Sequence, residues 1–416
     1  MQAAGKVSAE GLAATLRARI EAREHEVGAF AYLDAGSAQR RAAALDEQAR
    51  GTGVRGALHG IWVGIKDIID TADMPTTYGS AIFAGHRPER DAACVTRLRT
   101  AGAVLPGKTV TTEFAYFAPG KTRNPRRLSA TPGGSSSGSA AAVADGMVPL
   151  ALATQTAGSI IRPAAYCGVV GFKPSHGTLD ITGVIPFAPS LDTLGLMARS
   201  VEDAAYGFGV LRDGAGLRCA VASMPRLGFW RTPMWDAALP ETRSLLAAVK
   251  ARANAAGARV EDVGDIELTA DVIAAQVTIM QAEGHRQLAA IRARAENQLS
   301  PRLLALLDAG GSVTPLQEAT ARHAASSARI AVERALSRYD AVIVPAAPGE
   351  APEGLAATGD PIMNRMWTLL GTPCIALPAG HGPRGLPLGV QLVARCGDDE
   401  RLLSAARWIE RAIAAP

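Results

Sequence analysis

Apolar positions along the chain fall into blocks whose period changes, and the changes mark the elements. Residues 8–50 place small and aliphatic residues at helical spacing among charges. The run "LHGIWVGIKDII" then reads as a strand, or a strand pair with a turn, with Lys66 set inside it. A helix over 91–100 leads through Gly102 into a short strand, "AVLPG". A loop-rich tract over 111–134 follows, broken by Asn124-Pro125 and Thr131-Pro132. An alanine-rich helix is expected at 137–145, a buried strand at "MVPLALAT", and further strands and turns across 168–195. From 239 to 336 the pattern becomes helical and charged, as in "ETRSLLAAVKARANAAG", a stretch suited to covering a site. A strand at "DAVIVPA", the segments "GTPCIALPAG" and "LPLGVQLVAR", and a helix after Asp399 close the chain. Strands spread from the first quarter to the last point to one α/β fold rather than separable domains.

Composition narrows the class. The chain has 416 residues, 48% apolar and 20% charged, enough for a large core in a soluble globular protein. Its net charge of +4, from 43 basic and 39 acidic residues, is spread along the chain, so no nucleic-acid partner is implied. The opening stretch "MQAAGKVSAEGLAATLRARIEAREHEV" is charged throughout and lacks the apolar core of a secretory signal. No later run has membrane-spanning length, so a cytoplasmic protein without a membrane partner is expected. Five widely spaced cysteines without a C-x-x-C pair indicate neither a disulfide framework nor a zinc site, and no metal or other cofactor is expected.

Two motifs point elsewhere. "GAVLPGKT" at 102–109 satisfies the phosphate-loop pattern, but a helix precedes its first glycine where a strand is required. "GSSSG" at 134–138 satisfies the nucleophile-elbow pattern around Ser136, but the preceding "NPRRLSATPG" is polar and proline-broken where a buried strand is required.

Lys66, "TPGGSSSGSAAAVADG" (131–146) and "ATQTAGSIIRPAAYCGVVGFKPSHG" (153–177) together resemble the amidase signature family of serine hydrolases. The likeness continues through "GKTVTTEFA", "GVIPFAPSLDTLGLMARSVEDAA" and the two C-terminal segments quoted above. It implies a single amidase domain over 1–416, with a large, mixed, mostly parallel central sheet flanked by helices. Its parts would be an N-terminal helical part to 56, a core over 57–210, a variable helical region over 211–339 and a return to the sheet over 340–416.

The resemblance also implies a Ser-Ser-Lys triad of Ser159 as nucleophile, Ser135 as bridge and Lys66 as base, with a cis peptide at Gly134-Ser135. The chain contains no histidine between His86 and His176 to take the proton of Ser159. A lysine buried in "IWVGIKDII" is driven toward its neutral, basic form, and a serine hydroxyl can accept and donate at once, so it can relay a proton. Ser136 would support the bridge. Backbone N–H groups of Thr156, Ala157, Gly158 and Ser159 would receive the developing oxyanion, with Gly158 also permitting the turn. Asp192 reads as a turn and capping residue, and Lys108 and Lys173 as structural lysines.

The chain departs from the commoner family pattern at Gln155, which replaces an aspartate, and at Ala157, which replaces a glycine. Its arginine, Arg162, stands third after the nucleophile instead of second. That offset resembles the malonamidase branch, where the arginine grips the carboxylate of a small acid amide and a glutamine from the middle helices lies over the substrate. Gln281 is the match for that glutamine, with Gln276 as the alternative. The expectation is therefore a small-molecule amide substrate, malonamate-like, hydrolysed to acid and ammonia. Neutral aryl or alkyl amides, allophanate-like substrates and the A-type component of an amidotransferase are the competing expectations. A homodimer is admitted but not specified.

Overall fold

Helix α1 (Ala9–Val27) turns Ala13, Leu16 and Ile20 to the core, and α2 (Ala35–Thr52) turns Ala38, Ala42 and Leu45. The computed structural model describes residues 7–53, 56–220, 224–268 and 271–414. In it each of these helices starts at a side-chain cap, Ser8 or Asp34, and stops at a left-handed glycine, Gly28 or Gly53. Strand β1 (Phe30–Leu33) runs between them, so the helical spacing over 8–50 conceals a short edge strand.

The core continues through β2 (Val63–Lys66), α3 (Ala93–Thr100), β3 (Gly107–Thr109), α4 (Ser137–Ala144), β4 (Leu150–Gln155), α5 (Ile161–Cys167), β5 (Val170–Lys173), β6 (Thr193–Ala198) and α6 (Val201–Asp213). The strand expected at "AVLPG" begins later, because Val104 makes only an isolated bridge to Trp62. The remainder comprises β7 (Arg226–Phe229), α7 (Pro240–Ala255), β8 (Arg259–Asp262), α8 (Val272–Ala295), α9 (Pro301–Gly311), α10 (Pro315–Leu336), β9 (Ala341–Pro345), α11 (Ile362–Leu369), β10 (Cys374–His381), β11 (Pro387–Val393) and α12 (Asp399–Ala414).

The eleven strands among the described residues join one sheet in the order β1-β3-β2-β4-β6-β5-β10-β11-β9-β7-β8. The α/β class and the mixed sheet hold, but the pairing is not mostly parallel, since six of the ten strand pairs are antiparallel. Parallel pairs are confined to β2 with its neighbours β3 and β4, and to β7 with β8 and β9. Through the middle of the sheet, from β4 to β9, every neighbouring pair is antiparallel.

Every residue of β2, β4, β5, β6, β9 and β11 is buried. Both faces of these strands are therefore covered, which explains continuous apolar runs in strands that pair antiparallel. Each large aliphatic side chain so buried contributes roughly 1.5–3 kcal/mol. Because β2 and β4 are parallel neighbours, their carboxyl ends, at Lys66 and Gln155, open on the same side of the sheet. Ligands of α/β sheets gather at such ends. Among the described residues, no helix is long and apolar enough to cross a membrane.

Candidate active site

Lys66 is the one cation in β2 and is wholly buried. Its Nζ lies 2.7 Å from Ser135 Oγ, 2.8 Å from Thr154 Oγ1 and 3.5 Å from the Thr154 carbonyl. Burial drives its pKa well below the ordinary lysine value, and the nearby Asp192 carboxyl opposes this only in part. A neutral amine keeps two N–H donors, which the two Thr154 oxygens can accept, and turns its lone pair to the Ser135 hydroxyl.

The entry to α4 and its first turn are fastened by their own serines. The Ser136 hydroxyl donates to the Thr154 carbonyl at 3.2 Å, Ser137 to Val110 O at 3.3 Å and Ser139 to Leu152 O at 2.8 Å. A glycine is required at 138, where a Cβ would meet Ala29 O at 2.2 Å. The Gly134-Ser135 peptide is cis. No strand leads into Ser136, which caps α4 from a loop, so the elbow pattern has no elbow here. Lys108 of the phosphate-loop pattern is buried, donates to Ile69 O and Thr76 Oγ1, and lies 3.3 Å from Asp67. Lys173 likewise serves the fold, donating to Thr372 O at 2.6 Å.

After β4 the chain turns through Thr156 to Ile160 and enters α5. Gln155, where the family's commoner residue is an aspartate, does the turn's bonding. Its Oε1 accepts from Ile160 N at 2.8 Å and Ile161 N at 3.1 Å, and its Nε2 donates to Thr368 Oγ1 at 2.9 Å. This satisfies N–H groups that would otherwise be orphaned at the start of α5. Among the described residues, the backbone N–H groups of Thr156, Ala157, Gly158 and Ser159 have no protein acceptor. Gly158 is not in the left-handed region. It is required instead by space, since a Cβ there would lie 2.5 Å from Asn364 Oδ1 and 2.9 Å from Pro361 Cβ.

Asp192 accepts from Phe187 N and Ala188 N and from the Thr156 hydroxyl. Burial raises its pKa to about 6 despite those donors. It is thus a turn residue, in keeping with its sequence context, and also the carboxyl that acts on Lys66 through space.

Ser135, Ser159, Thr156, Arg162, Phe117 and Met280 line one narrow cavity. Arg162 is buried without a salt bridge among the described residues. Its Nε donates to Thr358 O at 2.8 Å and its Nη2 to Gly134 O at 2.7 Å, while Nη1 is buried with no protein partner among the described residues. Burial lowers its pKa to about 10, still far above neutrality.

Gln281 is not brought to this cavity. Its backbone packs against Gly310 of α9, and five residues along a helix from Gln276 is the wrong face. The glutamine that reaches the site is Gln276, whose Nε2 donates to Thr156 O at 3.0 Å, with Met280 one turn on lining the cavity. Thr154, Thr358, Thr368 and Arg365 also surround the site. Thr154 lies inside "ATQTAGS", and its polar side chain at the end of an apolar strand is a usable signal. The other three sit in stretches without a motif.

The Amidase family profile matches residues 12–403. The chain belongs to the amidase family. Among its relatives, a glutamyl-tRNA(Gln) amidotransferase subunit of Symbiobacterium thermophilum is 35% identical, with 97% of this chain and 93% of the relative covered. That alignment runs to 460 positions against 416 residues here, so the relative carries segments with no counterpart in this chain. A crystal structure of an amidase superposes with a TM-score of 0.90 at 31% identity, covering 98% of this chain and 97% of that one. The peptide amidase of Stenotrophomonas maltophilia superposes at 0.84 and 29% identity, covering 99% and 95%. As a member of the amidase family the chain is an enzyme acting on amide C–N bonds.

Proposed function

We propose that this amidase releases ammonia from a small primary amide bearing a carboxylate, through an ester formed on Ser159. Ser159 Oγ attacks the amide carbon while its proton passes to Ser135, whose own proton passes to the neutral Lys66. The carbonyl oxygen takes the negative charge beside the unpaired N–H groups of the 156–159 turn. As the C–N bond breaks, the proton returns through Ser135 to the nitrogen, which leaves as ammonia. Water then attacks the ester, loses a proton along the same relay, and frees the acid and Ser159.

The observation that carries the carboxylate is Arg162. A guanidinium buried without an acid, with one nitrogen lacking any protein partner and lining the same cavity as Ser159, is a costly arrangement unless an anion completes it. The narrowness of the cavity favours a short acid amide such as malonamate.

A second reading is favoured by the relatives. Their identity as glutamyl-tRNA(Gln) amidotransferase subunits suggests that the amide is glutamine and that the ammonia is passed on within a complex. Glutamine is also a primary amide with a carboxylate, so the two readings differ in the length of the acid and in the need for a partner.

Ammonia release by the purified chain, measured on malonamate, glutamine, allophanate, propionamide and an anilide, tests both. Turnover of malonamate far above propionamide is expected. Equal turnover of acidic and neutral amides would overturn the carboxylate reading, and activity on glutamine alone would favour the amidotransferase reading.

A further inference from the structure

We infer that Gln276 and Arg365 are positioning residues that aim the oxyanion donors of the 156–159 turn, so that the helices covering the site also set its electrostatics. This rests on Ser159 being the nucleophile.

The peptides of the turn are trans, and in a trans peptide bond the C=O and N–H point in opposite directions. Whatever holds a carbonyl of the turn from behind therefore aims the next residue's N–H to the front. Two carbonyls are held. Thr156 O accepts from Gln276 Nε2 at 3.0 Å, and Ala157 O accepts from Thr368 Oγ1 at 2.8 Å. The first pin directs Ala157 N–H away from α8, and the second directs Gly158 N–H away from α11. Among the described residues neither N–H finds a protein acceptor, while Thr156, Ala157 and Ser159 line the cavity.

The first pin depends on which way the Gln276 amide faces. Its oxygen and nitrogen are nearly equal in shape, and only the nitrogen can donate to a carbonyl. Arg365 decides the matter, because a guanidinium has donors only. Its Nη1 donates to Gln276 Oε1, which leaves Nε2 to face Thr156 O. Gln276 is fully buried, so no water competes for either end. Arg365 itself is half-buried on α11 and makes no salt bridge among the described residues. The chain Arg365, Gln276, Thr156 thus joins α11 and α8 to the turn.

The test is the rate at which an alkyl fluorophosphonate labels Ser159, followed by intact mass. The tetrahedral phosphonyl adduct places an oxygen against the turn, so labelling reads donor alignment without requiring the natural substrate. Gln276→Met, of similar length and without hydrogen bonds to either side, is expected to slow labelling about tenfold or more; losing a whole oxyanion donor elsewhere costs roughly 10²–10³ in rate. Arg365→Met is expected to slow it by a similar factor, and Arg365→Lys, still a donor only, to restore most of the loss. Melting temperatures measured alongside separate misalignment from unfolding. Labelling within twofold of wild type in Gln276→Met, or no rescue by Arg365→Lys, overturns the inference. Labelling of Ser159→Ala, or none of the wild type, overturns the underlying reading instead.

Discussion

Lys66 Nζ lies 2.7 Å from Ser135 Oγ at the end of a strand in which every residue is buried. The fold therefore holds an amine where an ammonium is disfavoured. Lys66→Met is expected to lower kcat/KM by at least about a thousandfold. It is also expected to stabilise the protein near neutrality, because the wild type must give up the favoured charged form of the lysine to bury it. The sign follows from the lowered folded-state pKa: between it and the ordinary lysine value the unfolded chain binds more protons, so wild-type stability rises with pH. The gap to the variant should close as pH approaches the ordinary lysine range. Denaturant titrations across pH measure it, and a less stable variant at every pH would contradict the burial argument.

Asp192 favours the charged form of Lys66. Asp192→Asn should lower the Lys66 pKa further, carrying the acid limb of the kcat/KM profile to lower pH. The same change weakens the acceptor of Phe187 N and Ala188 N, so a loss of about 1–3 kcal/mol in stability is expected beside it. A pH–rate profile that keeps its acid limb unchanged would remove Asp192 from the electrostatics of the base.

For Arg162→Ala, kcat/KM on malonamate should fall about tenfold to a thousandfold, mostly through KM, while a neutral amide loses far less. Arg162 also holds Gly134 O and Thr358 O, so Tm should drop. Parallel losses on both substrates would assign the arginine to the fold alone.

Gln155→Leu leaves Ile160 N and Ile161 N without their acceptor in a buried turn. A destabilisation of about 1–3 kcal/mol is expected from unsatisfied N–H groups. Amide exchange at Ile160 and Ile161 should quicken by more than that at the middle of β4. Unchanged protection would show that another acceptor takes over.

The residues proposed as the triad are legible in the sequence because each lies in a short motif of unusual composition at a characteristic spacing, and Lys66 breaks an otherwise apolar run. Helices with a clear core face, such as α10 and α12, are equally visible. The edge strand β1 is not, because Phe30–Leu33 lies between two helical patterns and pairs only with β3. Strands β7 and β8 are hidden for a similar reason, being four residues each beside long helices. Sheet direction is illegible because burial on both faces erases the alternation that usually marks antiparallel strands. Gln276 and Gln281 cannot be separated by motif, and only the face of α8 that meets Thr156 O distinguishes them. Thr358, Thr368 and Arg365 reach the site through tertiary contacts that leave no local pattern.

The close fit of Gly158 against Asn364 and Pro361 has a consequence for how this protein can diverge. A side chain at 158 is inadmissible until bulk has first been lost both at 361, just before α11, and at 364 within it. A smaller residue at those positions confers nothing while 158 remains glycine. The order of mutations is thereby constrained, and the two distant segments descend as one heritable unit.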